Sequence, residues 1–87
     1  MKELATTENI KEHADAMELL RVWHVNGNQE FIIATQVWED PAAWGLLLAD
    51  LARQIANTYG GNTVYENRQQ VLQRLKEGFD VEWENPT

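Results

Sequence analysis

The sequence predicts a small α+β domain, a β-hairpin over about 17–37 followed by two helices over about 41–59 and 64–83. Three observations carry this. Two runs rich in β-branched and aromatic residues flank Asn26-Gly27. A long apolar stripe at spacings of three and four follows Asp40-Pro41. A second helical spacing then runs towards Pro86. Residues 1–16 read as a polar arm, and 17–87 as the domain proper.

The arm comes first. Asn9 to Ala16 offers the residues for a helical turn or two, but few apolar side chains to pin it down. From Met17 the pattern changes. Met17 to Val25 and Gln29 to Val37 read as strands, and Asn-Gly supplies the two positive φ angles of a type I′ turn. With Asn26-Gly27 as a two-residue loop, Val25 faces Asn28, Val22 faces Phe31 and Leu20 faces Ile33. One sheet face then presents Leu20, Val22, Phe31 and Ile33, with His24 near the turn beside a polar neighbour such as Gln29. A three-residue loop would shift this pairing by one. The opposite face carries Leu19, Trp23, Val25, Ile32 and Ala34, interrupted by Arg21 and Glu30. Solvent-facing sides of antiparallel sheets normally alternate into polar residues, so something is expected to cover this second face as well.

Asp40 is the expected N-cap of the first helix, and Pro41 fits its first turn because the missing N–H costs nothing there. Trp44, Leu47, Leu48, Leu51, Ile55 and Tyr59 form its apolar stripe, expected to pack on the Leu20/Val22/Phe31/Ile33 face in a two-layer arrangement. Gly60-Gly61-Asn62 is the expected stop. The second helix starts near Thr63 to Glu66 and shows Val64, Arg68, Val71, Leu72 and Leu75 on one side. Phe79 to Glu84 reads two ways. It alternates like an edge strand, yet Leu72, Leu75, Phe79 and Trp83 keep helical spacing, which favours a helix continuing through Gly78.

Composition bounds what the chain does. Its 87 residues are 44% hydrophobic and 24% charged, the balance of a globular chain. There is no cysteine and no serine, which removes disulfides, thiolate metal sites and Cys- or Ser-based nucleophiles. Fourteen acids against seven bases give a net charge of −7, which repels phosphate backbones and argues against nucleic acid as a partner. Met1 to Asn9 lacks the apolar core of a secretory signal, and the most apolar run, Ala42 to Ala49, is too short for a membrane span. The expectation is a cytoplasmic protein that neither enters a membrane nor contacts one.

No motif assembles a catalytic centre. Gly60-Gly61-Asn62 lacks the context of a phosphate loop. His13-Ala14-Asp15 has the residue types of a weak metal clip but lies in the arm, and His24 sits among apolar strand residues. Pairs such as Glu39-Asp40 and Glu82/Glu84 are explained by capping and solvation. The reading is therefore non-enzymatic, with no catalytic residue, no cofactor and no metal. Tryptophan is the departure from an ordinary composition: Trp23, Trp38, Trp44 and Trp83, two of which open the echo Trp38-Glu39-Asp40-Pro41 and Trp83-Glu84-Asn85-Pro86. Core filling explains them, but Trp23 equally fits an association anchor. The acidic residues at both ends solvate them; a basic partner surface is the lesser reading.

Leu20-Arg21-Val22-Trp23, Trp38-Glu39-Asp40-Pro41-Ala42-Ala43-Trp44-Gly45, Leu48-Ala49-Asp50, Gly78-Phe79 and Glu82-Trp83-Glu84-Asn85-Pro86-Thr87 resemble a family of short bacterial proteins catalogued as domain of unknown function 5076. The similarity spans Met17 to Thr87, leaving the first 16 residues outside it. It implies one compact domain and carries over no activity, cofactor or site residue.

A chain this short buries only about 60–65% of its unfolded surface, and a lone two-stranded sheet is barely stable. The expectation is a homodimer, formed by edge pairing or by stacking through Trp23 and Ile32, with Trp23, Val25, Ile32 and Trp83 as interface candidates. It would serve as a protein-interaction module; the alternative is a small-molecule binder with its pocket at the dimer junction.

Overall fold

The computed structural model describes residues 2–59, 65 and 67–87. The order of elements is α1 (Glu8–Glu12), β1 (Leu20–Val25), β2 (Asn28–Ile33), α2 (Ala42–Asn57) and α3 (Arg68–Glu84), an α+β arrangement. The chain divides into two compact units, Met1–Val37 and Trp38–Thr87.

In the first unit, the Thr7 side chain accepts from Ile10 N–H at 3.2 Å and caps the short α1, which buries nothing. The strands pair antiparallel in the register the two-residue turn dictates: Leu20 opposite Ile33, Val22 opposite Phe31, Val25 opposite Asn28. Asn26 (φ 50°) and Gly27 (φ 81°) supply the positive angles of that turn. The strands are shorter than the 17–37 span expected from composition. Ala34 N–H still donates to Leu19 C=O at 2.9 Å, but Gln36 then turns left-handed (φ 60°), and the ladder ends.

The second unit opens at the Asp40-Pro41 pair one position later than expected, with Pro41 in the cap position and Ala42 first in the helix. The Asp40 carboxylate accepts from Ala42 N–H at 3.0 Å, and Pro41 C=O accepts from Trp44 N–H at 3.0 Å. Helix α2 ends at Asn57, two residues before the expected limit, where Thr58 Oγ1 donates to Ile55 C=O at 2.6 Å. The predicted Gly60-Gly61-Asn62 stop and the Thr63–Val64 start of the next helix lie outside the described residues. Helix α3 begins later than expected, at Arg68, because Asn67 is its cap and accepts from Gln70 N–H at 3.0 Å. It runs unbroken through Gly78 to Glu84, so the helical spacing of Leu72, Leu75, Phe79 and Trp83 decides 79–84 over the strand-like alternation.

Helix α2 packs against α3, and Arg68 Nε donates to Asn57 Oδ1 at 2.7 Å where they approach. Among the described residues the buried side chains are small: Ala56 (1% exposed) on α2 and Val71 (4%) on α3. At about 100° per residue, Ala52 and Ala56 sit roughly a quarter turn from the centre of the Trp44-to-Tyr59 stripe. The fully buried side chain of α2 thus lies on its alanine edge, beside the stripe rather than at its centre. Leu48, Leu51, Ile55 and Tyr59 remain exposed.

Candidate functional site

Two surfaces carry the predicted site residues, one in each unit. The first is the hairpin. Period-2 alternation places Leu20, Val22, Phe31 and Ile33 on one face, and Val22, Phe31 and Ile33 are each more than half exposed. At its turn end His24 Nδ1 lies 2.8 Å from Gln29 Oε1, the polar cross-strand neighbour the register requires. The opposite face brings together three of the four predicted interface residues. Trp23 is half-buried opposite Glu30, Ile32 lies diagonal to it opposite Arg21, and Val25 follows towards the turn. Val25 and Ile32 are exposed. Arg21 Nε donates to Glu18 Oε1 at 2.6 Å, which leaves Glu30 as the other acidic or basic side chain on this face of the strands.

Trp83, the fourth candidate, belongs to the helical unit. It stacks on Phe79, one turn earlier, with ring centroids 5.5 Å apart and planes 19° from parallel. Asn85 N–H closes the helix on Val81 C=O at 3.0 Å. The chain then folds back, and Thr87 donates from its N–H and Oγ1 to Glu82 Oε1 at 3.2 and 3.1 Å. This brings Pro86 beside the rings. Phe79, Glu82, Trp83 and Pro86 line an open, almost wholly apolar concavity of about 600 Å³. Sequence reasoning had Trp83 as a candidate but missed Phe79, Pro86 and the Thr87–Glu82 clasp; the i, i+4 Phe-Trp spacing was the available signal. The matching motif at Trp38 has another fate, since Trp38 meets Trp44 edge-on at 5.1 Å and 76° at the start of α2.

The remaining candidates do not converge. His13 Nδ1 lies 2.7 Å from Asn9 C=O, within its own short helix. Among the described residues no group of three His, Asp or Glu side chains is placed to hold a metal ion. No described helix is long and apolar enough to cross a membrane. Two cations on α3 are perturbed. The carboxylate of Asp80, 2.8 Å from Lys76 Nζ, raises that ammonium above its ordinary pKa by hydrogen bonding and then by its charge. Glu77, 2.7 Å away, does the same for Arg74. Both are solvent-exposed surface pairs.

No curated protein matches the chain. Among solved structures it is similar to one from the photosynthetic bacterium Rhodopseudomonas palustrus CGA009, described provisionally as a pyruvate dehydrogenase. The two share 32% sequence identity and a TM-score of 0.78, over 100% of this chain and 88% of the other. The domain of unknown function DUF5076 matches residues 3–87, so the resemblance extends through the N-terminal arm that the motifs alone left outside it. The chain belongs to the DUF5076 family.

Proposed function

We propose that the protein is a non-catalytic, homodimeric protein-interaction module whose two copies meet through the hairpin. The observation that carries this reading is the open apolar surface on both sides of a two-stranded ribbon. Val22, Phe31 and Ile33 stand out on one face, Val25 and Ile32 beside Trp23 on the other. A two-stranded sheet also has two unpaired edges, and further strands or a packed face stabilise it most. Beyond the Arg21–Glu18 pair this face carries one carboxylate, Glu30, a small charge for identical surfaces to bring together in a two-fold contact. Trp23, Val25 and Ile32 form the proposed contact, with Trp23 as its anchor.

The neighbour's provisional name points to a different class, chemistry on a small keto acid. The α3 concavity gives that reading little support here. Its one ionisable lining group is the Glu82 carboxylate, which repels an anionic acid. A pocket formed only where two copies meet would be the place for a small ligand.

Sedimentation at tens of micromolar tests the proposal. The expected mass is twice the 10.0 kDa of one chain, and Trp23→Ala is expected to give a folded species of one chain mass. A wild-type monomer under those conditions overturns the dimer. Unfolding of Trp23→Ala without a folded monomer makes Trp23 a core residue instead.

A further inference from the structure

We infer that the C-terminal turns of α3 form a second docking surface, separate from the proposed dimer contact, for a basic segment of a partner protein. Three features of the α3 end point the same way. The first is the aromatic shelf. Phe79 is 52% and Trp83 71% exposed, and their stacked rings with Pro86 present an open apolar surface that the described residues leave uncovered. The second is charge. From residue 77 to 87 the chain carries Glu77, Asp80, Glu82 and Glu84 and no Lys or Arg. Its Lys76 and Arg74 neighbours are already paired with Asp80 and Glu77. The third is the helix itself. The last turn of α3 holds Glu82 and Glu84 with no basic residue. Carboxylates at the negative end of a helix dipole are unfavourable, and an arriving cation relieves that repulsion.

Together these select the occupant. A second copy would bring its own Glu82 and Glu84 against the same two groups, the carboxylates that no Lys or Arg of α3 neutralises, and like charges so placed repel. A cationic side chain instead gains on both counts. An Arg guanidinium lies flat over an exposed indole and donates to a carboxylate at the ring's edge. Glu82 is held at the edge of the shelf by its bonds from Thr87, so the carboxylate is already positioned. The chemistry that fits is therefore an arginine- or lysine-bearing peptide segment that also offers apolar contact to Trp83 and Pro86.

The test is fluorescence anisotropy with a labelled nona-arginine peptide, titrated against the full chain and against Trp83→Ala, Phe79→Ala and Glu82→Gln. Circular dichroism checks that each variant stays helical. Binding is expected to weaken with added salt and to fall at least about fivefold in Trp83→Ala and in Phe79→Ala, neither of which alters net charge. Trp23→Ala is expected to bind as the wild type does, which separates this surface from the hairpin contact. Equal binding by wild type and Trp83→Ala means the peptide senses only the overall negative charge, and overturns the inference. So does a wild-type dimer that Trp83→Ala converts to monomer, which would make the shelf a contact between copies.

Discussion

The hairpin and the helix pair reach order by different routes. In the hairpin, order comes from backbone chemistry: a turn that Asn26 and Gly27 can adopt, then six cross-strand pairs in the register that turn imposes. Its side chains add little, since none of its strand residues is fully buried. In the helical unit the Asp40 and Asn67 side chains accept from the first turns of α2 and α3, the two helices pack together, and each buries one small side chain, Ala56 and Val71. One unit therefore depends on its turn, and the other on a small packed contact. With so few side chains buried among the described residues, surface is left for partners, which is where both proposals lie.

Substitutions that strike one route and spare the other break this comparison. Val71→Asp places a carboxylate in the contact between α2 and α3, where it has lost water and gained no partner. A loss of about 2–4 kcal/mol is expected, read as an earlier urea midpoint by far-ultraviolet circular dichroism. The hairpin amide signals should change far less. Gly27→Val is the reciprocal experiment. Nothing lies within 4 Å of a Cβ built there, so the cost is purely that of a branched residue at φ +81°. It is expected to be roughly 1–2 kcal/mol, confined to faster amide exchange in β1 and β2. Retained protection in the hairpin would show that packing, not the turn, sets its stability.

Asp40→Ala sharpens the helical side. Losing the bond to Ala42 N–H should cost about 1 kcal/mol and fray the first turn of α2, measured as lost amide protection there. Lys76→Ala should be the smallest effect, with no measurable change in melting temperature, because exposed ion pairs contribute little. Its pH dependence has a definite sign. Asp80 raises the Lys76 pKa in the folded chain, so what the pair contributes is complete below the ordinary lysine value of 10.5. It is lost as pH rises through the higher folded value. Helicity should therefore be flat through neutral pH where this pair is concerned, and a loss tied to Lys76 between pH 6 and pH 8 would contradict the assignment.

Particular residues show how far the sequence could be read. The His24–Gln29 pairing followed from the turn and the period of two, with no tertiary information needed. Continuation of α3 past Gly78 followed from the spacing of Leu72, Leu75, Phe79 and Trp83. The contacting edge of α2 did not. Hydrophobic periodicity gives most weight to large side chains, so it singled out the Trp44-to-Tyr59 stripe, whereas the fully buried side chain of α2 is Ala56. The two Trp-Glu-Asx-Pro segments were equally opaque. Nearly the same letters start one helix, with Trp38 turned edge-on to Trp44, and finish another, with Trp83 stacked on Phe79.

By itself, then, the sequence determined the hairpin, the two long helices and their order, and narrowed the register to the pairing of a two-residue or a three-residue turn, because each depends on backbone angles and hydrogen bonds within a few residues. Only the tertiary structure decided which side of α2 is used, that Asn67 starts α3, and that Thr87 turns back to hold Glu82 beside an aromatic shelf. Those outcomes depend on which distant groups can approach closely, and no local periodicity encodes that distance.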